Sequence, residues 1–338
     1  MIFDRHAGGP RNPKATMSAS TTSVSTPAAA NPDLDLDSIA LQGLARLDDW
    51  GVIRAQGIDA AAFLHGQLTQ DFALLGQGEA RLAGFCSAKG RMLASFVGWK
   101  TSPEEILLAC RRDLLAPTLK RLSMFVLRAK AKLSDASADF ALYGAVGACV
   151  PADLPAAPWA RLHAAEGDWV RLPAAAGAAR ALLCLSASAQ QPAAELAPAL
   201  WQWLEVRSGV AMVGAPVLEE FVPQMLNYES IGGVNFKKGC YPGQEVVARS
   251  QYRGALKRRA HIFHAESELR VGQEVFHAAD AEQPCGIVAA AAPHPRQGWE
   301  AIVSLQISAL DGQALTVGAP DGAALQALEL PYELLQDI

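Results

Sequence analysis

The sequence predicts an α+β protein that closes with a small β-barrel, and three observations lead there. Strand and helix patterns alternate between residues 43 and 133, short strands at fairly even spacing follow Arg259, and no apolar run approaches the ~18 residues of a spanning helix. The 338 residues are 51% apolar and 19% charged, which excludes a disordered chain and provides core for two or three domains.

Residues 1–36 are rich in Ser, Thr, Ala, Pro and Gly without apolar periodicity and read as a disordered tail, in which Met17 is an alternative start. Residues 43–57 read as strand, turn and strand around Asp48 and Asp49. A helix capped by Asp59 follows, with Phe63, Leu64, Leu68, Phe72 and Leu75 at helical spacing. A strand ending near Cys86, a turn at Lys89-Gly90 and a strand from Met92 to Trp99 make a hairpin. Residues 112–125 fit an amphipathic helix interrupted or started at Pro117, and 127–133 alternates like a half-exposed strand. Short strands occupy 140–186, a helix is expected over 193–208, and the strands AHIFHA, QEVFHA, CGIVAAAA and EAIVSLQIS form the barrel. The expected units are therefore 37–135, 136–254 and 255–338.

Net charge is −5, which argues against a uniformly basic, nucleic-acid-coating surface. The positive charge is concentrated. Residues 237–259 carry +6, as do residues 111–132, so one or two sites for an anionic ligand stand beside the alternative of solvated faces. The six cysteines form no C-x-x-C pair and no zinc spacing, and His261 and His264 alternate across a strand, so no metal is expected. Dispersed reduced thiols suit a cytoplasmic protein without a membrane span.

The most informative stretch is FVPQMLNYESIGGVNFKKGCYPGQEVVARSQYRG, residues 221–254. It is too polar for core and too basic for an ordinary loop. Gly239 and Gly243 flank Cys240, and the ammonium groups of Lys237 and Lys238 would stabilise its thiolate, so Cys240 is the candidate functional thiol and Lys238 its partner. A structural cysteine in a lysine-flanked turn is the alternative.

KKGCYPGQEVVAR resembles the signature of the YgfZ-type folate-binding proteins, a branch of the aminomethyltransferase (GcvT-like) fold. The resemblance extends to LDDW at 47–50, GQLTQD at 66–71, SAKGRM at 87–92, FVPQMLN at 221–227, GGVNFKKGCYPGQE at 232–245, ARSQYRG at 248–254 and LPYEL at 330–334. It implies a multidomain arrangement around a central cavity, tetrahydrofolate as ligand, and a role in supporting iron-sulfur enzymes or their assembly machinery, including tRNA-modifying ones. Residue by residue, the motif's cysteine matches Cys240, with Lys237, Lys238, Gly239, Tyr241, Gly243, Gln244 and Glu245 around it and Gln224, Arg249 and Arg253 in support. Trp50 and Trp203 resemble folate-site positions, where an indole would stack on the pterin or aminobenzoyl ring; each is also a candidate core residue.

Pro242 stands where the family commonly has Thr, removing a hydroxyl and an N–H. The aminomethyltransferases place a catalytic Asp pair where direct alignment puts Leu93 and Ala94, and a pterin-binding glutamate where Arg207 stands. A proton-transferring carboxylate is thus missing, which favours an accessory protein over a one-carbon transferase. A scaffold that binds no folate is a third possibility, and Lys257, Arg258 and Arg259 could meet tRNA phosphates directly.

Overall fold

The computed structural model describes residues 39–252 and 256–335; the tail at 1–36, Met17 and Arg253 lie outside the described residues. Its strands fall into two five-stranded antiparallel sheets and a closed six-stranded barrel. No described helix is long and apolar enough to cross a membrane.

The first sheet holds β2 (Trp50–Gln56), β3 (Ala80–Cys86), β4 (Met92–Ser102), β5 (Glu105–Arg111) and β6 (Lys132–Asp135), in the order β3-β4-β5-β2-β6. Its strands are apolar on both faces, and the period of two sorts them. Ile53, Ala83, Phe96 and Leu108 pack under α1 (Ala60–His65) and α2 (Arg112–Ser123), while Val52, Leu82, Val97 and Leu107 face a second core. The second sheet runs β1 (Gly43–Arg46), β7 (Phe140–Val146), β10 (Ala178–Ser186), β9 (Gly167–Ala175) and β8 (Arg161–His163). The shared core where both sheets, α3 (Pro198–Arg207) and the barrel meet buries Trp50, Trp99, Trp201, Trp203 and Tyr228.

The barrel closes because β11 (Arg258–Ala265) pairs with both β14 (Trp299–Gln306) and β16 (Ala323–Leu328). β12 (Glu274–His277), β13 (Asp280–Pro293) and β15 (Leu315–Val317) complete it around Phe263, Val275, Val288 and Val303. The α+β class, the hairpin at Lys89-Gly90 and the terminal barrel are as the sequence predicts.

Several local expectations differ. The strands on either side of Asp48-Asp49 exist, but β1 joins one sheet and β2 the other, so the turn is a crossing between sheets. The helix after Asp59 stops at His65 although the apolar spacing continues. Thr69 draws the chain away: its N–H donates to Gly84 O at 2.9 Å and its hydroxyl accepts from Gly84 N at 2.7 Å, docking this segment on β3. The Asp59 side chain caps no helix and accepts from Lys130 N–H instead. Helix α2 continues through the exposed Pro117, the strand expected over 127–133 forms only from Lys132, and α3 begins at Pro198 because proline suits a helix start.

Candidate functional site

Residues 232–235 dock on the segment that follows α1. Gln70 Nε2 donates to Gly232 O at 2.7 Å, Thr69 Oγ1 to Gly233 O at 2.6 Å, and Asn235 N–H to Thr69 O at 2.9 Å. The GQLTQD and GGVN motifs, far apart in sequence, thus form one backbone seam, and it delivers the chain to Lys238.

Lys238 folds back inward. Its Nζ donates to His65 O at 2.5 Å and to Leu68 O at 2.9 Å, and lies 4.6 Å from the centre of the buried Tyr241 ring. The His65 carbonyl ends α1 and would otherwise lack a helix partner, and the Leu68 carbonyl lies just beyond it. Burial lowers the pKa of Lys238 to about 8, against the opposing pull of Asp71 and Cys240. Lys237 is exposed, its N–H accepted by Asn235 Oδ1. Of the two lysines expected to surround the thiol, the one with a fixed ammonium is therefore Lys238.

After Cys240 the chain is clamped again. Gly243 has φ +80°, and a Cβ there would lie 2.4 Å from Ser87 O and 2.7 Å from Gly90 Cα, so the loop rests directly on the SAKGRM hairpin turn. Helix α4 (Gln244–Tyr252) follows, with the Gln244 N–H accepted by Tyr241 O. The fully buried Gln224 donates to Val247 O at 2.7 Å, holding α4 from behind. Glu245 and Arg249 pair with each other on the exposed face of α4 at 2.6 Å. Between these anchors Gly239 and Cys240 are exposed.

A pair that the sequence reading did not single out stands beside this loop. His65 Nδ1 and Asp71 Oδ1 are 3.0 Å apart. Burial works to raise the Asp71 pKa, but hydrogen bonds from Leu74 N–H and His65 hold it below the usual range. The GQLTQD match was the available sequence signal; it includes Asp71, but His65 precedes it.

The two tryptophans lie at different places. Trp203 is fully buried; its N–H donates to Glu300 Oε2 at 2.8 Å, and Arg207 lies 3.7 Å from the other carboxylate oxygen. Trp50 is 4% exposed, covered by the Arg111 guanidinium 5.4 Å from its ring, and its indole nitrogen has no hydrogen-bond partner. With Arg46, Asp48 and Arg112 it lines a cavity of about 10 Å³, in which Trp203 takes no part. Arg46 is paired with Asp48 at 3.2 Å and donates to the Tyr143 hydroxyl, and Arg112 Nε donates to the Asp48 and Trp50 carbonyls. The space holds roughly one water molecule, so a pterin requires that this seam open.

The residues aligned with the aminomethyltransferase Asp pair, Leu93 and Ala94, are buried on the α1 side of β4. No carboxylate occupies that stretch of strand.

No family model matches the chain. It is 33% identical over 254 residues to the tRNA-modifying protein YgfZ of Edwardsiella ictaluri, covering 70% of this chain and 74% of that protein. The corresponding protein of Yersinia enterocolitica is 33% identical over 248 residues, and that of Aliivibrio fischeri 29% identical over 252. They cover 69% and 71% of this chain, and 74% and 76% of those proteins. Among solved structures, the glycine cleavage system aminomethyltransferase T from Bartonella henselae superposes with a TM-score of 0.64 over 86% of both chains at 14% identity, a likeness of fold. A thiol-bearing KGCYPGQE loop clamped onto an aminomethyltransferase fold, together with these relatives, makes the chain a member of the YgfZ family.

Proposed function

We propose that the chain is a tetrahydrofolate-binding accessory protein of the cytoplasm that supports the assembly or repair of iron-sulfur enzymes, tRNA-modifying ones among them, with Cys240 as its working thiol. The observation that carries this reading is the exposure of Cys240 on a loop anchored on both sides. Lys238 is tied to the end of α1, and Gly243 is seated on the turn at Gly90. Such a loop presents its sulfur to a partner in a defined position without a large ordering cost.

The relatives' naming as tRNA-modifying proteins supports the direction of the reading. Apolar Leu93 and Ala94 support an accessory role over one-carbon transfer, because that position supplies no group to move a proton. In the proposed arrangement tetrahydrofolate contacts Trp50, with Arg46 and Arg112 meeting its carboxylates. Trp203 contributes by holding α3 against the barrel through Glu300.

The test is complementation of a strain lacking the gene, scored by mass spectrometry of thiolated tRNA nucleosides. Cys240→Ala should fold normally and restore no modification; full restoration would sink the thiol mechanism. Calorimetric titration with tetrahydrofolate should show binding to the unmodified protein and at least tenfold weaker binding to Trp50→Ala. If the unmodified protein binds no folate, the scaffold reading replaces this one.

A further inference from the structure

Gly239 has no obvious backbone reason to be glycine. Its φ is not in the left-handed region, and it makes no tight turn of the kind that Gly243 makes. A Cβ built at position 239 would meet a single side chain, the imidazole of His65, with Nε2 at 3.2 Å and Cδ2 at 3.8 Å. The missing side chain leaves room for that imidazole edge against the backbone of the residue preceding Cys240.

The orientation of the ring follows from its other partner. An ionised carboxylate only accepts hydrogen bonds, so the contact of Nδ1 with Asp71 Oδ1 at 3.0 Å places the proton of neutral His65 on Nδ1. Asp71 Oδ1 is itself fixed by the Leu74 N–H at 2.9 Å. Nε2, the basic nitrogen, is then the one facing Gly239. The backbone of His65 is pinned as well, because its carbonyl accepts from Lys238.

We infer that His65, oriented by Asp71, is the proton acceptor for the Cys240 thiol, and that Gly239 is the residue that allows the approach. This rests on the proposed role of Cys240 as the working thiol. The step is a proton transfer: the S–H bond breaks, the proton goes to Nε2, and the electron pair stays on sulfur. The resulting thiolate and imidazolium are flanked by the Asp71 carboxylate and the Lys238 ammonium. Among the described residues, further charges on these segments include the exposed Lys237, Lys89 and Arg91 in the turn against Gly243, and Glu245, which is occupied by Arg249. A carboxylate-oriented imidazole beside a thiol supplies the general base that activates a sulfur nucleophile.

The experiment measures alkylation of Cys240 by iodoacetamide against pH, read by peptide mass spectrometry in a Cys149→Ser background, since Cys149 is the other exposed thiol among the described residues. His65→Gln should lower the rate at pH 7 at least fivefold and move the midpoint of the profile upward. Gly239→Ala, by crowding Nε2, should act in the same direction by a smaller factor, and Asp71→Asn should as well. Added imidazole should restore part of the rate in His65→Ala, which a purely structural role for the ring would not permit. An unchanged rate and midpoint in His65→Gln overturns the inference while leaving the complementation result of Cys240→Ala untouched. Conversely, full complementation by Cys240→Ala removes the proposed function without altering the alkylation profile.

Discussion

Gly90 and Gly243 touch backbone to backbone: a Cβ on Gly243 would lie 2.7 Å from Gly90 Cα, and both residues have positive φ. The hairpin turn of the first sheet is therefore the floor on which the Cys240 loop sits. Two short motifs more than a hundred residues apart are conditions for one another.

Gly243→Ala should consequently destabilise the protein by about 1–3 kcal/mol, through its left-handed backbone and the contact with Ser87 O and Gly90. Urea unfolding measures this. A midpoint equal to that of the unmodified protein would show that the loop does not depend on the turn.

Cys240→Ala should behave oppositely. The residue is exposed, so its removal should change stability by no more than about 0.5 kcal/mol. A larger loss in the same measurement would identify Cys240 as a packing residue and undercut its proposed role.

Lys238→Met retains most of the apolar stem but removes the donor to His65 O and Leu68 O. A cost of about 1–3 kcal/mol is expected from the unmet carbonyls. Hydrogen exchange should accelerate most at the end of α1, and uniform protection there would contradict the anchoring role.

Asn227 adopts φ +59°, and its side chain both donates to Ala260 O at 2.8 Å and accepts from Ala260 N–H at 3.2 Å, joining the FVPQMLN segment to the barrel. Asn227→Ala should lose these bonds and strain the backbone, whereas Asn227→Gly should lose the bonds alone. The thermal midpoint should fall further for alanine than for glycine by an amount equivalent to about 1 kcal/mol. Equal losses would remove backbone strain as a contributor.

Glu300 supplies a pH test. Burial raises its pKa to about 7, against the opposing effects of Arg207 and the Trp203 N–H. The folded state holds the proton more tightly than the unfolded state, whose carboxyl has its ordinary value near 4.5. This contribution to stability is present at low pH and is lost as pH rises from about 4.5 through 7. Glu300→Gln mimics the protonated form, so its melting temperature should exceed that of the unmodified protein by a few degrees at pH 8 and converge with it below pH 4.5. His294, whose Nε2 lies 4.0 Å from Glu300 Oε1, is lowered to about 4 chiefly by burial, so its folded-state charge is lost by about pH 5 and the difference between about pH 5 and 8 reports Glu300. A constant difference across pH would contradict the assignment.

The sequence alone carried the class, the barrel and the Cys240 motif. Short, largely apolar runs bounded by turn residues, such as Met92–Trp99 and Trp299–Leu305, are local signals, and a long motif survives without knowledge of its surroundings. The tertiary structure decided where apolar spacing stops meaning helix. Phe63, Leu64, Leu68, Phe72 and Leu75 all enter one core, as their spacing suggests, yet the helix ends at His65. Backbone bonds to Gly84 compensate for the helical bonds that are lost. It also decided the environment of the thiol. The adjacent lysines in the sequence imply two ammonium groups beside Cys240, but one of them folds inward to close α1. The imidazole that faces the loop comes from position 65, some 170 residues upstream. Its approach depends on a side chain that Gly239 lacks, and such an absence acquires meaning only when the two segments are packed together.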